Sequence, residues 1–247
     1  MGGDVVHCDI HLRGLAVVVA WNDHDHHMRH TELDIDLHLD TANNQALFTL
    51  GRSVLGQDLR RPINLFLFIY PESIESLEFE ADVRLPTSAI LDHQPPAILD
   101  HQPHQRFGCL RFVTSRSLDF IGPQDPPLEE FRDVFHTMNA LSLVLNFNIY
   151  FNMSPIQPEL LRQISSFPSL FSPTNRRLET DVRRADLRTL YGGLGGRRIN
   201  TVLSPASSAL PGNGTEEEVT TAEKAANVGL QRPAHTSTPP GRKRQSR

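Results

Sequence analysis

Leu33, Ile35, Leu37 and Leu39 alternate without a break with Asp34, Asp36, His38 and Asp40. A two-residue period puts every apolar side chain on one face of a strand and every polar one on the other. A helix would scatter the same leucines around its axis. This stretch therefore commits the chain to a sheet with one buried face.

The same alternation returns in Leu77, Phe79, Ala81, Val83 and Leu85, in Cys109 to Thr114, and in Phe147, Ile149 and Phe151. Asp9 to Asn22 ends in Val17-Val18-Val19 and reads as a strand, with a polar loop from Asp23 to Thr31 after it. Asn43-Asn44 reads as a turn into a returning strand at Ala46 to Leu50. Leu65 to Tyr70 is continuously apolar, as in a central strand covered on both faces.

Helical spacing appears later in the chain. Asp125-Pro126-Pro127 forms a helix start, with Leu128, Phe131, Val134, Phe135, Met138, Leu141 and Leu145 on one face. A second helix is expected from Pro158, carrying Leu160, Leu161 and Ile164, with a Pro-containing linker at 168–175 after it. Leu178 to Tyr191 is expected as a third, stopped by Gly192-Gly193, and Ser53 to Arg61 as a short helix closed by Pro62. A last strand is expected at Arg197 to Leu203. Strands first and helices later give an α+β domain over 1–203, a mixed or antiparallel sheet flanked by two or three helices.

Two stretches fall outside this pattern. Ala89 to Pro95 reads AILDHQP and is repeated at Ala97 to Pro103, so 86–105 is expected to be an exposed Pro-rich loop. From Ser204 to Arg247 the chain is rich in Ser, Thr, Pro, Gly and Glu. It buries too little apolar surface to offset its ordering entropy, so a disordered tail is expected at 204–247.

Composition excludes several chemistries. The only lysines are Lys224 and Lys243, both in the tail. A body without lysine argues against Schiff-base catalysis, Walker-type nucleotide binding and kinase-type phosphoryl transfer. Cys8 and Cys109 form no CxxC pair and fit reduced thiols in an intracellular compartment. The apolar run Leu15 to Trp21 is about a third of a membrane span, so no membrane association is expected. The net charge of −5 gives no general attraction to nucleic acid.

Several constellations remain. His24, His26, His27 and His30 cluster, and Asp34 and Asp36 follow on one strand face. Imidazoles at i, i+4 with nearby carboxylates are a metal-ligand pattern, here without the HExxH form. A solvated loop and strand face is the bland reading of the same residues. Gly51-Arg52-Ser53-Val54-Leu55-Gly56 misses the nucleophile-elbow spacing by one residue. Tyr191 to Arg198 is glycine-rich but matches neither GxGxxG nor a P-loop. Arg176, Arg177, Arg183, Arg184, Arg188, Arg197 and Arg198 form a basic stripe without the aromatic interleaving of a nucleic-acid reader. In the tail, Arg242-Lys243-Arg244 is a nuclear-import candidate, and Ser204 and Thr238, each before proline, are phosphorylation candidates.

Three stretches together carry a resemblance: Phe48 to Leu55 leading to Pro71-Glu72-Ser73-Ile74, Leu110-Arg111-Phe112 before the Pro126 helix, and Arg188 to Gly193. The chain resembles uncharacterised predicted proteins of filamentous fungi, over most of 45–247. The resemblance implies no activity.

No catalytic constellation emerges from this reading. The leading expectation is a non-enzymatic protein-interaction or regulatory protein, nuclear or cytoplasmic, with a protein partner and no cofactor. The alternatives are a metal-dependent enzyme or metal-binding protein using the His24–His30 cluster, and nucleic-acid binding through the Arg176–Arg198 stripe.

Overall fold

The structure is a computed structural model, which describes residues 9–55, 62–86, 105–124, 131–171 and 178–199. Chain contacts divide the protein into Met1–Leu203 and Ser204–Arg247, and the description below concerns the first unit.

The strands are β1 (Asp9–Asn22), β2 (Met28–Asp40), β3 (Gln45–Val54), β4 (Ile63–Ile69), β5 (Ile74–Val83), β6 (Phe107–Thr114), β7 (Asp119–Pro123), β8 (Asn146–Asn152), β9 (Glu179–Thr180) and β10 (Gly196–Arg198). They form one sheet in the order β10-β7-β4-β3-β2-β1-β8-β6-β5, with β9 attached to β3. Every pairing is antiparallel except β3 with β9. The helices are α1 (Arg132–Ser142) and α2 (Pro158–Leu170). The protein is therefore broadly α+β, with a large and mostly antiparallel sheet.

Most of the alternating residues read from the sequence line one face of this sheet, but Ala81 is exposed, and Val83 and Leu85, beyond a register shift after Glu80, pack with Val18 instead. Leu37, Phe48 and Ile69 sit across from one another on β2, β3 and β4, as do Trp21, Phe147 and Phe112 on β1, β8 and β6. Phe112 and Phe147 stack at 5.2 Å between centroids. Phe135, Met138 and Leu141 of α1, and Ile164 and Phe167 of α2, join the same core. Both helices thus cover one face. The middle of β1 is covered on both, because Val18 packs on the other side with Leu85 and Phe107.

Several expectations need correction. Leu178 to Tyr191 is not a helix. It holds β9, a turn, and 3-10 turns at Leu187–Thr189 and Tyr191–Gly193. The cause lies in two aspartates. Asp181 Oδ1 accepts from the Arg183 amide at 3.0 Å, and Asp186 Oδ1 from the Arg188 amide at 3.0 Å. Such local bonds capture the amides that a helix would use. Two α-helices, not three, are present among the described residues.

Ser53 lies on β3, which runs to Val54, and residues 56–61 are outside the described ones. The loop expected at Asp23 to Thr31 is shorter, since β2 begins at Met28. Helix α2 passes through Pro168 to Leu170, where a linker was expected. The short strand β7 was not expected at all. The helix start at Asp125-Pro126-Pro127, the loop core at 87–104 and the tail from 200 onward lie outside the described residues.

Candidate functional site

The β1–β2 hairpin carries one irregularity that decides which side chains meet. Its register shifts between Leu12 and Leu15. Gly14 sits there at φ 59°, a left-handed conformation that favours glycine, and its amide donates to Asp36 Oδ1 at 2.7 Å. The extra residue is a β-bulge, and it flips the face on which successive side chains emerge. Val17 and Val19 point to the core beyond the bulge, and Ile10 and Leu12 point to it before. His11 is consequently turned to the outer face, directly opposite His38.

The two imidazoles stack with centroids 4.4 Å apart, and their Nδ1 atoms lie 3.0 Å from each other. Each outer nitrogen faces a carboxylate. His11 Nε2 is 3.1 Å from Asp9 Oδ1, and His38 Nε2 is 3.2 Å from Asp181 Oδ2. Asp181 is brought in by the segment after β9 and is only 6% exposed. Its Oδ1 accepts the amides of Arg183 and Arg184, and its Oδ2 pairs with Arg184 Nε at 3.2 Å. Arg184 Nη2 reaches back to within 3.4 Å of His11 Nδ1. Desolvation holds the His38 ring below its ordinary pKa, helped by the Arg184 charge and by His11, while Asp181 and Asp9 pull the other way.

Beside this cluster a cleft of about 300 Å³ opens on the outer face. Leu47, Phe66, Phe68 and Leu190 supply apolar wall; Arg13, Asp36, Thr49, His11, His38 and Arg184 supply polar groups. Asp36 is already bonded to the Gly14 amide. Arg13 has no ion-pair partner among the described residues.

The sequence-derived cluster is arranged differently. His24, His26 and His27 lie exposed on the β1–β2 turn, with His26 at φ 60° and no helix to give an i, i+4 face. Asp23 organises that turn by accepting the Asp25 and His27 amides and Arg29 Nε. His30 and Asp34 are both on β2, four residues or about 13 Å apart. Among the described residues, the groups whose donor atoms approach within 4.8 Å are Asp9–His11–His38 and Asp23–Asp25–His27. His27 alone of the expected ligands enters either, and Asp36 lines the cleft instead.

Other motifs resolve into structure. Arg184, Arg188 and Arg198 of the basic stripe pair with Asp181, Asp186 and Asp119, while Arg176 and Arg177 lie outside the described residues. In the glycine-rich segment, the amides of Gly193 and Gly195 both bond the Leu190 carbonyl, so they are not aimed at a ligand. The Tyr191 hydroxyl donates to the Asn64 carbonyl at 2.6 Å and fastens this turn to β4. Arg242, Lys243, Arg244, Ser204 and Thr238 lie outside the described residues.

Cys109 is buried, and burial pushes its thiol up to about 11. A neutral thiol is a poor nucleophile. In a Cys8→Ser variant at pH 8, a thiol reagent is expected to label Cys109 only after denaturant is added. The raised value also favours the folded state below the thiol's ordinary value of 9.0, a contribution lost as pH climbs toward about 11.

No protein-family model matches the chain, and neither a curated protein nor a solved structure does. Among the described residues no helix is long and apolar enough to cross a membrane. The site must therefore be read from its own chemistry.

Proposed function

We propose that the folded body is a non-enzymatic docking module that receives an acidic, partly apolar segment of a partner protein in the outer-face cleft. One observation carries this reading. Arg13, in a cleft walled by leucine and phenylalanine, makes no ion pair among the described residues. Arg184 is already paired with Asp181, and Asp36 gives its Oδ1 to the Gly14 amide. An acidic side chain meets the arginine while a neighbouring apolar one covers Phe66. The tail sequence Arg242-Lys243-Arg244 supports a nuclear place for the module.

The test is selection from a random peptide library displayed against the full chain, with affinities then measured by fluorescence anisotropy. Selected peptides are expected to combine Asp or Glu with Leu or Phe. Arg13→Glu should weaken them about tenfold, and salt should weaken them too. Enrichment of peptides without acidic residues, or affinities equal for Arg13→Glu and the parent, would overturn the proposal.

A further inference from the structure

We propose that His11 and His38 ligate a transition-metal ion of the zinc class through their facing Nδ1 atoms, with Asp9 and Asp181 holding the other ring nitrogens.

The argument begins with protons. A neutral imidazole has one N–H. Suppose each ring spends it on its carboxylate, His11 Nε2 toward Asp9 and His38 Nε2 toward Asp181. Two bare lone pairs then face each other at 3.0 Å. Suppose instead that one ring turns its proton inward. Its Nε2 lone pair then faces a carboxylate oxygen at 3.1 or 3.2 Å. Every neutral arrangement leaves one of these contacts without a positive hydrogen, and the Arg184 guanidinium reaches only His11 Nδ1, at 3.4 Å. Either a third proton or a metal cation placed against both Nδ1 atoms supplies the missing charge, and the metal leaves both N–H···carboxylate bonds in place.

Geometry and surroundings agree. Two nitrogens bound to one tetrahedral zinc ion at its usual bond length lie about 3.3 Å apart, close to the separation seen here. A ligating histidine whose other nitrogen donates to a carboxylate is the common outer-shell arrangement, because it fixes both tautomer and ring orientation. Here each ring has such a carboxylate, and Asp181 is in turn fixed by two backbone amides. Donor atoms of Asp9, His11 and His38 lie within 4.8 Å of one another, with Asp9 kept as the carboxylate on His11 Nε2. Arg184 is the opposing charge. Its Nη2 contact with His11 Nδ1 is long at 3.4 Å, and its side chain is 37% exposed, so the guanidinium has room to turn outward. The coordination left over opens toward the cleft, where solvent or an incoming carboxylate completes it.

This inference does not rest on the docking function, because metal alone decides it. Zinc is titrated into the full-length, tag-free chain by calorimetry, and cobalt(II) spectra report the ligand type. One equivalent is expected, with a raised melting temperature. His11→Asn and His38→Asn should each lower affinity at least tenfold. Asp181→Asn should lower it less. A variant with His24, His26, His27 and His30 all replaced by alanine should still bind one equivalent. His11 is 43% exposed along its side chain, so His11→Asn keeps the test valid if His38→Asn fails to fold. The proposal is overturned if the parent chain binds no stoichiometric metal, or if binding is lost in the fourfold turn variant and retained in His11→Asn.

Discussion

Phe48→Ala is expected to destabilise the folded body by about 3–5 kcal/mol, the range for emptying a buried phenylalanine site. Phe48 is 1% exposed at the middle of β3. Its ring meets Phe112 of β6 at 5.6 Å between centroids, edge to face, and Phe167 of α2 at 6.4 Å. Phe171, just beyond α2, is 5.9 Å away. One side chain therefore joins two distant strands and a helix, which cannot all close on the void. The check is urea unfolding, followed by circular dichroism. Phe48→Leu keeps most of the volume and should cost only about 1 kcal/mol. Equal losses for the two variants would show that the void left by alanine costs nothing extra and that the loss comes from the ring contacts alone.

Asp181→Ala is expected to cost about 1–3 kcal/mol, because it leaves several part-buried groups without their acceptor. The carboxylate holds the Arg183 and Arg184 amides, Arg184 Nε and His38 Nε2. It is thus the point where the segment after β9 is tied to the outer face of β2. Asp181→Asn keeps a carbonyl oxygen for the two amides and loses only the charge, so it should cost less. Hydrogen exchange separates this from global softening. Protection should fall first around 179–199, while the amides of β1 and β8 stay protected. Uniform loss of protection across the sheet would refute the local role.

The strands were legible because their signal is short-range. Leu33 to Asp40 and Leu65 to Tyr70 each carry their burial pattern in consecutive residues, and β1 has the limits its β-branched run suggests. Helices α1 and α2 were legible from Phe135, Met138 and Leu141, and from Leu160, Leu161 and Ile164. The segment 178–191 deceived the reading for a chemical reason. Leu178, Val182 and Ala185 have helical spacing, but Asp181 and Asp186 bond the amides two residues ahead.

The site was hidden for a different reason. His11 and His38 are 27 positions apart, and only the bulge at Gly14 puts them on the same face. If β1 ran back from Val17 in unbroken register, with all its residues paired, His11 would stand opposite Leu39. The available signal was a glycine interrupting the alternation of β1 just after a histidine. The histidines that drew attention instead, His24 to His30, were conspicuous because they are adjacent in sequence. Adjacency on an exposed turn gives proximity without a scaffold to aim the rings.

The way the cleft is assembled also sets when it can exist. His11 meets Arg184 across 173 positions of sequence, and Leu190 closes the same wall. A chain emerges from the ribosome N-terminus first, and contacts of such separation bear the largest loop-closure cost. The hairpins of β1 to β4 can pair while synthesis is under way. The two imidazoles then face water, without Asp181 or Arg184, until nearly the whole body has been made. Any ligand that needs the finished cleft is thereby denied the nascent chain and reserved for the completed protein.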